Sequence, residues 1–274
     1  MKLLFCGDIV GRPGREAVTG RLPGLRETLA LDFVIANGEN AAGGFGITEK
    51  ICAQIFEAGV DVISGGNHSW DQREAMFFID REPRLLRPEN FPAGTPGRGV
   101  RLFEATRGRK VLVMNVMARL FMDPLDDPFA CVDRELAKHR LGATVQAIVV
   151  DMHAEATSEK MAMGHFVDGR ASLCVGTHTH VPTSDTMILP GGTAYQSDAG
   201  MCGDYDSVIG MDKAEPIARF TRKLRGEHLH AARGEGTLCA VFVETDDKTG
   251  LAKRVAPLRA GGRLSPTEPE AEAG

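Results

Sequence analysis

The stretch Gly176-Thr177-His178-Thr179-His180 decides how the rest of this sequence is interpreted. It follows the apolar run Ala-Ser-Leu-Cys-Val at 171–175, which predicts a buried strand. On an extended segment, residues i and i+2 point to the same side, so we expect His178 and His180 to face one point. Neutral imidazole is the commonest transition-metal ligand, so this pair indicates a metal site. Two surface histidines in a loop are the alternative, which the motif alone does not exclude.

Three strand-like runs with polar ends lie in the first 80 residues. Apolar runs stop at polar or glycine-rich loops after residues 2–6, 33–36 and 61–64. A helix is predicted after each run, over residues 14–29, 48–58 and 71–80. Thr48 and Asp71 are the expected N-caps of the second and third helices. In open α/β sheets, ligand and catalytic residues gather beyond the carboxyl ends of strands, which is where these polar loops fall.

The later part of the chain continues the α/β pattern after an irregular connection. Residues 84–99 contain Pro88, Pro92 and Pro96 and predict a surface loop. The remaining expected elements are a hairpin over 100–106 and 110–117, helices over 129–141, 157–166 and 213–224, and a strand over 145–150 that runs into Asp151-Met152-His153. With no internal repeat and no linker, we predict one domain over residues 1–260. An acidic tail over 261–274 is expected to be disordered.

Composition and charge restrict the class of protein. The chain has 274 residues, 43% hydrophobic and 25% charged, as in a globular protein, and its net charge of −5 does not favour nucleic-acid polymers or membrane surfaces as partners. The apolar runs are too short for a membrane span or a signal peptide, and we expect a cytoplasmic protein. Six scattered cysteines without a C-x-x-C pair predict buried free thiols and no zinc–thiolate site.

The polar residues at the strand ends form a set of oxygen and nitrogen ligands. They are Asp8, Glu39, Asn40, Asn67, His68, His153, His178 and His180. A set without sulfur suits Mn, Fe or Zn, and it is too large for one ion. Two ions bridged by a carboxylate would use it fully and would clamp a phosphoryl group during transfer.

The ordered motifs of this set resemble the calcineurin-like metallophosphoesterase superfamily. The series comprises Gly7-Asp8, Gly38-Glu39-Asn40, Gly66-Asn67-His68, His153 and the 176–180 stretch. Within that superfamily, the segments 38–40, 151–160 and 198–201 resemble its YmdB-like branch, over about residues 3–260. This resemblance implies an α/β fold of four layers, with two mixed β-sheets between helices. It also implies phosphodiesterase activity on cyclic nucleotides, notably 2′,3′-cyclic ones.

The resemblance also implies a role for each residue of the set. One metal would be held by Asp8, Glu39, Asn40 and His180, and the other by Glu39, Asn67, His153 and His178, with Glu39 as the bridge. The two ions, most naturally Fe or Mn with Zn as a further option, would hold a bridging hydroxide that attacks phosphorus. His68 would act as the general acid. Many superfamily members have a ligand histidine where Val10 stands here, and an aspartate where Glu39 stands.

Two other functions compete with this hypothesis. The same metals could serve a phosphomonoesterase or nucleotidase, or the protein could bind metal and nucleotide without turnover as a regulator. His68 argues against the regulator, because a scaffold needs metal ligands but no proton donor. The expected partner is a small phosphodiester or cyclic nucleotide, and a homo-oligomer remains open.

Two further motifs have ordinary explanations. His228-Leu229-His230 repeats the H-x-H spacing, but no apolar run precedes it, so a solvated segment is predicted. The basic turn over 11–15 could meet a phosphate or be ordinary surface.

Overall fold

Two large β-sheets, a two-stranded sheet and six α-helices form the described part of the molecule. A computed structural model describes residues 1–223, 226 and 228–269. The strands are β1 (Lys2–Cys6), β2 (Asp8–Ile9), β3 (Phe33–Asn37), β4 (Val62–Ser64), β5 (Val100–Glu104), β6 (Lys110–Met117), β7 (Ala147–His153), β8 (Leu173–Thr177), β9 (Met187–Ile188), β10 (Ala194–Gln196), β11 (Met201–Cys202), β12 (Leu238–Thr245) and β13 (Ala252–Ala260). The helices are α1 (Gly11–Thr28), α2 (Glu49–Glu57), α3 (Ala75–Phe78), α4 (Pro128–Leu136), α5 (Thr157–Phe166) and α6 (Ala214–Arg222).

Both large sheets are mixed. The first has the order β13-β12-β1-β3-β4, in which β1, β3 and β4 are parallel and β12 and β13 are antiparallel additions. The second has the order β5-β6-β7-β8-β10-β9, with a parallel centre and an antiparallel strand at each edge. A short pair of β11 and β2 lies apart from them.

Successive side chains of a strand point to opposite faces of its sheet, and this alternation produces the four layers. In β1, Leu3 and Phe5 belong to a core between the two sheets, whereas Leu4 and Cys6 pack on the opposite face with buried residues of α1 and α2. In β7, Val149 likewise enters the core between the sheets, and the outward neighbours of Val149 pack beneath α4 and α5. Strands buried on both faces read as continuous apolar runs, which is why these segments were recognisable. The predicted four-layer α/β fold with two mixed sheets is confirmed.

Some predicted elements differ in extent. The predicted 71–80 helix is reduced to α3, and the 129–141 helix starts at Pro128 and ends at Leu136. Asp127 caps α4 by accepting hydrogen bonds from the N–H groups at 129 and 130, 2.8 and 3.3 Å away. The first helix begins at Gly11, three residues earlier than predicted. Helix α6 covers most of the 213–224 prediction, whose last residue lies outside the described residues.

The hairpin is confirmed, and residues 84–99 are irregular as predicted, but they do not all lie at the surface, because Leu85, Leu86 and Arg87 are buried. Strands β5 and β6 pair antiparallel, and residues 84–99 form no helix or strand. Beyond β13, the backbone of Thr267 exchanges two hydrogen bonds with Arg259, of 2.9 and 3.0 Å. Of the predicted disordered tail, residues 270–274 lie outside the described residues. In the part of the chain that is described, no helix is both long and apolar enough to cross a membrane.

The parallel strands bring their carboxyl ends to a common edge of the sandwich. Buried polar contacts join the two sheets there: the Ser64 hydroxyl at the end of β4 donates to the Asp151 carboxylate of β7 over 2.5 Å. The N–H of Gly65 donates to the Asn115 side chain of β6 over 3.2 Å. The loops after β1, β3, β4 and β8, together with the end of β7, therefore converge at this edge.

Candidate metal centre

The first group of predicted ligands meets around His153, the last residue of β7. The Nε2 atom of His153 lies 3.1 Å from Glu39 Oε1, 2.9 Å from Asn67 Oδ1 and 3.2 Å from His178 Nδ1. Glu39, His153 and His178 offer ligand atoms that all lie within 4.8 Å of one another. The structure thus brings together the four residues that the resemblance assigned to one metal.

The second group joins the first through Glu39 and Asn40. The amide nitrogen of Asn40 is 3.2 Å from Glu39 Oε1 and 3.3 Å from His180 Nε2, and that imidazole nitrogen is 3.7 Å from Asp8 Oδ1. Asp8 Oδ1 is buried without a hydrogen-bond partner. A buried carboxylate oxygen left unpaired costs free energy, and a cation is the ligand that such an atom suits best. The residues present therefore fit a metal site.

His68 lies beside this cluster and contacts it through its backbone. Its N–H donates to Glu39 Oε2 over 2.9 Å. Its imidazole points elsewhere: Nδ1 is 2.7 Å from Asp71 Oδ2, and the ring packs edge-on against Phe45 at 5.1 Å between centroids. The side chain is 30% exposed, whereas those of Glu39 and His153 are fully buried. His68 is thus accessible to a ligand that approaches from solvent.

The imidazole rings of His153, His178 and His180 each have one nitrogen next to a neighbouring group and the other nitrogen turned toward the cluster. Thr177 Oγ1 donates to Asp151 over 2.7 Å, so it must accept from His153 Nδ1, 2.9 Å away. The backbone carbonyl of residue 209 accepts from His180 Nδ1 over 2.8 Å. A carboxylate oxygen of Glu155 lies 3.2 Å from His178 Nε2, the ring nitrogen that is turned away from His153. In each ring the remaining nitrogen turns toward the other ligands, the arrangement that metal-binding histidines use.

The protonation states of Glu39 and His178 suit metal coordination. Burial raises the pKa of Asp8 to about 6. Burial also opposes ionisation of Glu39, but the charge and hydrogen bond of His153 overcome it and lower the pKa of Glu39 to about 2. Burial opposes protonation of His153, but the charge and hydrogen bond of Glu39 raise the pKa of His153 to about 9, so a bound metal would have to displace its proton. Burial, followed by the charge of His153, lowers the pKa of His178 to about 3. Glu39 is therefore ionised and His178 neutral at pH 7, the forms that bind metals.

Gly66 is required by the close approach of the loop after β4 to the cluster. A Cβ atom at this position would lie 2.3 Å from both Glu39 Oε2 and His153 Nε2. The glycine backbone thus forms one wall of the site, and a side chain would occupy the space between the ligands.

One geometric expectation was wrong. Strand β8 ends at Thr177, so His178 and His180 are not on an extended segment; both have left-handed backbone conformations, with φ of 94° and 67°. The two rings still reach the same cluster, because the loop and not the pleat of a strand directs them.

Several residues that support the site were not predicted from the sequence to have a role in it. Asp71, Glu155, Thr177 and the pair of Lys160 and Asp198 all contact predicted ligands or their loop. Glu155, Lys160 and Asp198 lie in segments that carried the family resemblance, but their partners are distant along the chain and no local spacing reveals them.

Of the two motifs with ordinary explanations, the basic turn lies against the loop that carries Asn40, since the Gly11 N–H donates to the Asn40 carbonyl over 2.9 Å. His228 and His230 are exposed, as predicted. In the basic turn, Arg12 pairs with Glu16 over 2.6 Å, and Arg15 donates to the carbonyl of Ala41.

A model of the YmdB-like protein family matches residues 4–258. The chain belongs to the YmdB-like family. Among relatives of known name, a 2′,3′-cyclic-nucleotide 2′-phosphodiesterase of Bacillus subtilis is 47% identical over 255 residues, which cover 93% of this chain and 95% of the relative. The prediction of this family from the sequence is therefore confirmed.

Solved structures of two YmdB-like relatives share the fold. A hypothetical protein from Thermus thermophilus is 44% identical, with a TM-score of 0.88, and the match covers 95% of this chain and 99% of that one. A protein described as a novel phosphatase from Mycoplasma pneumoniae is 33% identical, also with a TM-score of 0.88, and the match covers 95% and 93% of the two chains.

Proposed function

We propose that this YmdB-like protein is a metal-dependent phosphodiesterase that hydrolyses 2′,3′-cyclic nucleotides. The observation that carries the proposal is the convergence of three inward-turned imidazoles and four oxygen or amide side chains at one edge of the fold, with an accessible histidine beside them. The name of the Bacillus subtilis relative supports the choice of substrate. The donor chemistry supports metal use, since oxygen and imidazole ligands suit Mn, Fe and Zn.

Two metal ions would be held by the seven clustered side chains. One ion would use Asp8, Glu39, Asn40 and His180; the other would use Glu39, Asn67, His153 and His178. Asn40 presents its amide nitrogen to the cluster, and a half-turn of the amide would present its oxygen instead. When bound, such ions supply positive charge for the phosphoryl oxygens and lower the pKa of water. We propose Fe or Mn as the native pair, with Zn as a substitute.

His68 would supply the proton that the leaving group needs. In the hydrolysis of a 2′,3′-cyclic ester, a water oxygen bonds to phosphorus and the bond from phosphorus to one ribose oxygen breaks. That oxygen leaves as an alkoxide unless it is protonated. Because the Asp71 carboxylate accepts from Nδ1 over 2.7 Å, the Nε2 proton of the protonated ring is the one available for donation. The His68 backbone meanwhile holds Glu39 in place.

Turnover of His68→Ala on esters with different leaving groups tests this role. We expect a loss of about 10²–10⁴ in turnover on a 2′,3′-cyclic nucleotide, the usual contribution of a general acid. On a p-nitrophenyl phosphodiester the loss should be much smaller, because p-nitrophenoxide leaves without a proton. Metal content should match the wild type. His165→Ala, at an exposed position of α5, is the matched control and should leave both activities unchanged.

The same assay separates the competing functions. Equal losses on both esters with metals retained would mean that His68 positions the phosphate and does not act as the acid. The Mycoplasma relatives carry names that include phosphatase, so a phosphomonoester belongs in the assay. A wild-type preference for the monoester would favour a phosphatase over our proposal. Absence of turnover on all three esters by the metal-loaded protein would favour a binding role.

We further propose that residues 1–260 act as one domain in the cytoplasm. Strand β13 pairs with β12 along its length, and β12 pairs with β1, so residues up to 260 belong to the first sheet. All six cysteines are buried and unpaired, as is common for proteins of the reducing cytosol.

A further inference from the structure

Lys160 and Asp198 form a buried ion pair next to the proposed metal centre. Lys160 lies on α5 and Asp198 in the loop between β10 and β11, with Nζ 2.7 Å from Oδ2. The two side chains are only 3% and 1% exposed. Burying two charges carries a desolvation penalty that their attraction often fails to offset. Stability alone therefore explains such a pair poorly, and its other contacts indicate what it does.

Asp198 holds the residue between the two histidines of the 176–180 stretch. Its Oδ2 accepts from the Thr179 N–H over 3.1 Å and from the Thr179 hydroxyl over 2.6 Å. Its Oδ1 accepts from the Gly200 N–H over 2.8 Å. Lys160 Nζ also lies 3.3 Å from the Thr179 hydroxyl oxygen. Thr179 is thus fixed through both its backbone and its side chain.

The backbone on either side of Thr179 needs such a restraint. His178 and His180 have φ of 94° and 67°, conformations that residues with a Cβ adopt rarely. These conformations persist where surrounding contacts impose them, and they cluster at functional sites. If Thr179 were released, the loop could relax to ordinary φ values, and both rings would turn away from the ligands they now face.

Gly176 allows α5 to approach closely enough for this contact. A Cβ atom at residue 176 would lie 2.8 Å from Lys160 Cδ and 1.8 Å from the carbonyl oxygen of Ser197. The lysine stem and the segment that carries Asp198 therefore both pack directly against the end of β8. The ion pair therefore contacts the loop that carries His178 and His180 from the interior of the protein.

We propose that Lys160 and Asp198 are positioning residues that hold Thr179 and thereby direct His178 and His180 to the metals. The inference rests on the proposed function, since it assumes that these histidines bind metal. Groups that orient metal ligands in this way contribute about 10–100-fold to metal affinity.

Direct Mn²⁺ titration, followed by the EPR signal of free and bound Mn²⁺, tests the proposal without relying on turnover. We expect Asp198→Asn and Lys160→Met each to weaken Mn²⁺ binding by about 10–100-fold and to change the EPR spectrum of the bound ion. Because the pair acts as a unit, the double variant should bind no more weakly than Asp198→Asn alone. Thermal unfolding in the absence of metal reports on the fold of each variant.

Two further variants control for a loss of Mn²⁺ affinity that comes only from a damaged fold. Thr179→Val keeps the backbone donor and the size of the side chain but removes the hydroxyl; it should fold normally and weaken binding by several-fold. Arg26→Met breaks an ion pair of similar length, 2.8 Å to Asp61, on α1 and away from the site. It should change the unfolding temperature without changing Mn²⁺ affinity.

The outcomes separate this inference from the proposed function. Wild-type protein that binds no Mn²⁺ overturns both. Wild-type protein that binds Mn²⁺, with folded Asp198→Asn binding it equally well, overturns only the positioning role. An equal loss in Arg26→Met would also overturn it, since the effect would then reflect general loosening. If Asp198→Asn fails to fold, Thr179→Val decides: unchanged affinity there contradicts the inference.

Discussion

Replacing Gly66 by alanine tests the geometry of the metal centre with a single methyl group. The new Cβ would lie 2.3 Å from both Glu39 Oε2 and His153 Nε2, whereas ordinary contacts begin near 3.4 Å. The difference requires the loop or the two ligand atoms to move by about 1.1 Å. Metal–ligand distances tolerate deviations of only about 0.2 Å. The backbone of Gly66 is not in the left-handed region, so the effect should be steric and not conformational.

We expect Gly66→Ala to lose metal and to reduce turnover by at least about 10²-fold, the usual cost of a misplacement of about 1 Å. Elemental analysis after reconstitution with Mn²⁺, together with turnover on a 2′,3′-cyclic nucleotide, measures both effects. Gly20→Ala is the matched control. It lies within α1, where its added Cβ would meet no atom within 4 Å apart from the backbone of its own helix, and the substitution should stabilise the fold by about 0.5–1 kcal/mol without affecting metal or activity.

The reasoning would be refuted by a Gly66→Ala protein that retains the wild-type metal content and turnover. In that case the loop after β4 could retreat by about 1 Å at no cost, and Gly66 would not form a wall of the site.

Three further predictions concern metal and thiol chemistry. Glu39→Gln should reduce metal binding at both sites, because a bridging carboxylate neutralises two cations. Asn40→Ala should weaken binding at mainly one of the two sites. A Glu39→Gln protein with two bound ions and full activity would show that Glu39 does not bridge the metals. Prolonged chelation should abolish turnover but preserve the far-ultraviolet circular dichroism, because the three main apolar cores are built from apolar side chains and contain none of the proposed ligands. Mn²⁺ should then restore activity. Burial raises the pKa of Cys52 to about 12 and that of Cys131 to about 11, so the thiols stay protonated at pH 8. A thiol-reactive dye should therefore label the six cysteines only after denaturation, and rapid labelling of the native protein would contradict this burial.

The strands were predictable because their side chains follow the pleat. Segments such as β1 and β7 are apolar on both faces, a pattern that arises only where each face meets another layer. Helix α2 was equally predictable, since its N-cap Thr48 accepts from the N–H of Ile51 over 3.3 Å, as the local sequence indicates.

The segment after β4 shows where local rules failed. Asp71 looked like the N-cap of a helix over 71–80, but its carboxylate pairs with His68 instead. The Ser69 hydroxyl likewise bonds the backbone of Gly66, so the chain turns here and α3 is left with four residues. The contact between Asp71 and His68 thus took the place of the helix cap that the local sequence predicted. The helix propensity of the segment did not reveal this contact.

By itself the sequence indicated the layered α/β fold and which polar side chains cluster at its edge. Apolar periodicity identifies strands, and polar residues that follow parallel strands must meet at one edge. Only the tertiary structure decided how the rings are oriented. Thr177 selects the ring nitrogen of His153 that faces the cluster, and Lys160 and Asp198 hold the loop that carries the other two rings. These contacts join residues from separate elements at distances of about 3 Å, so they exist only after the strands of the second sheet, α5 and their connecting loops have packed together.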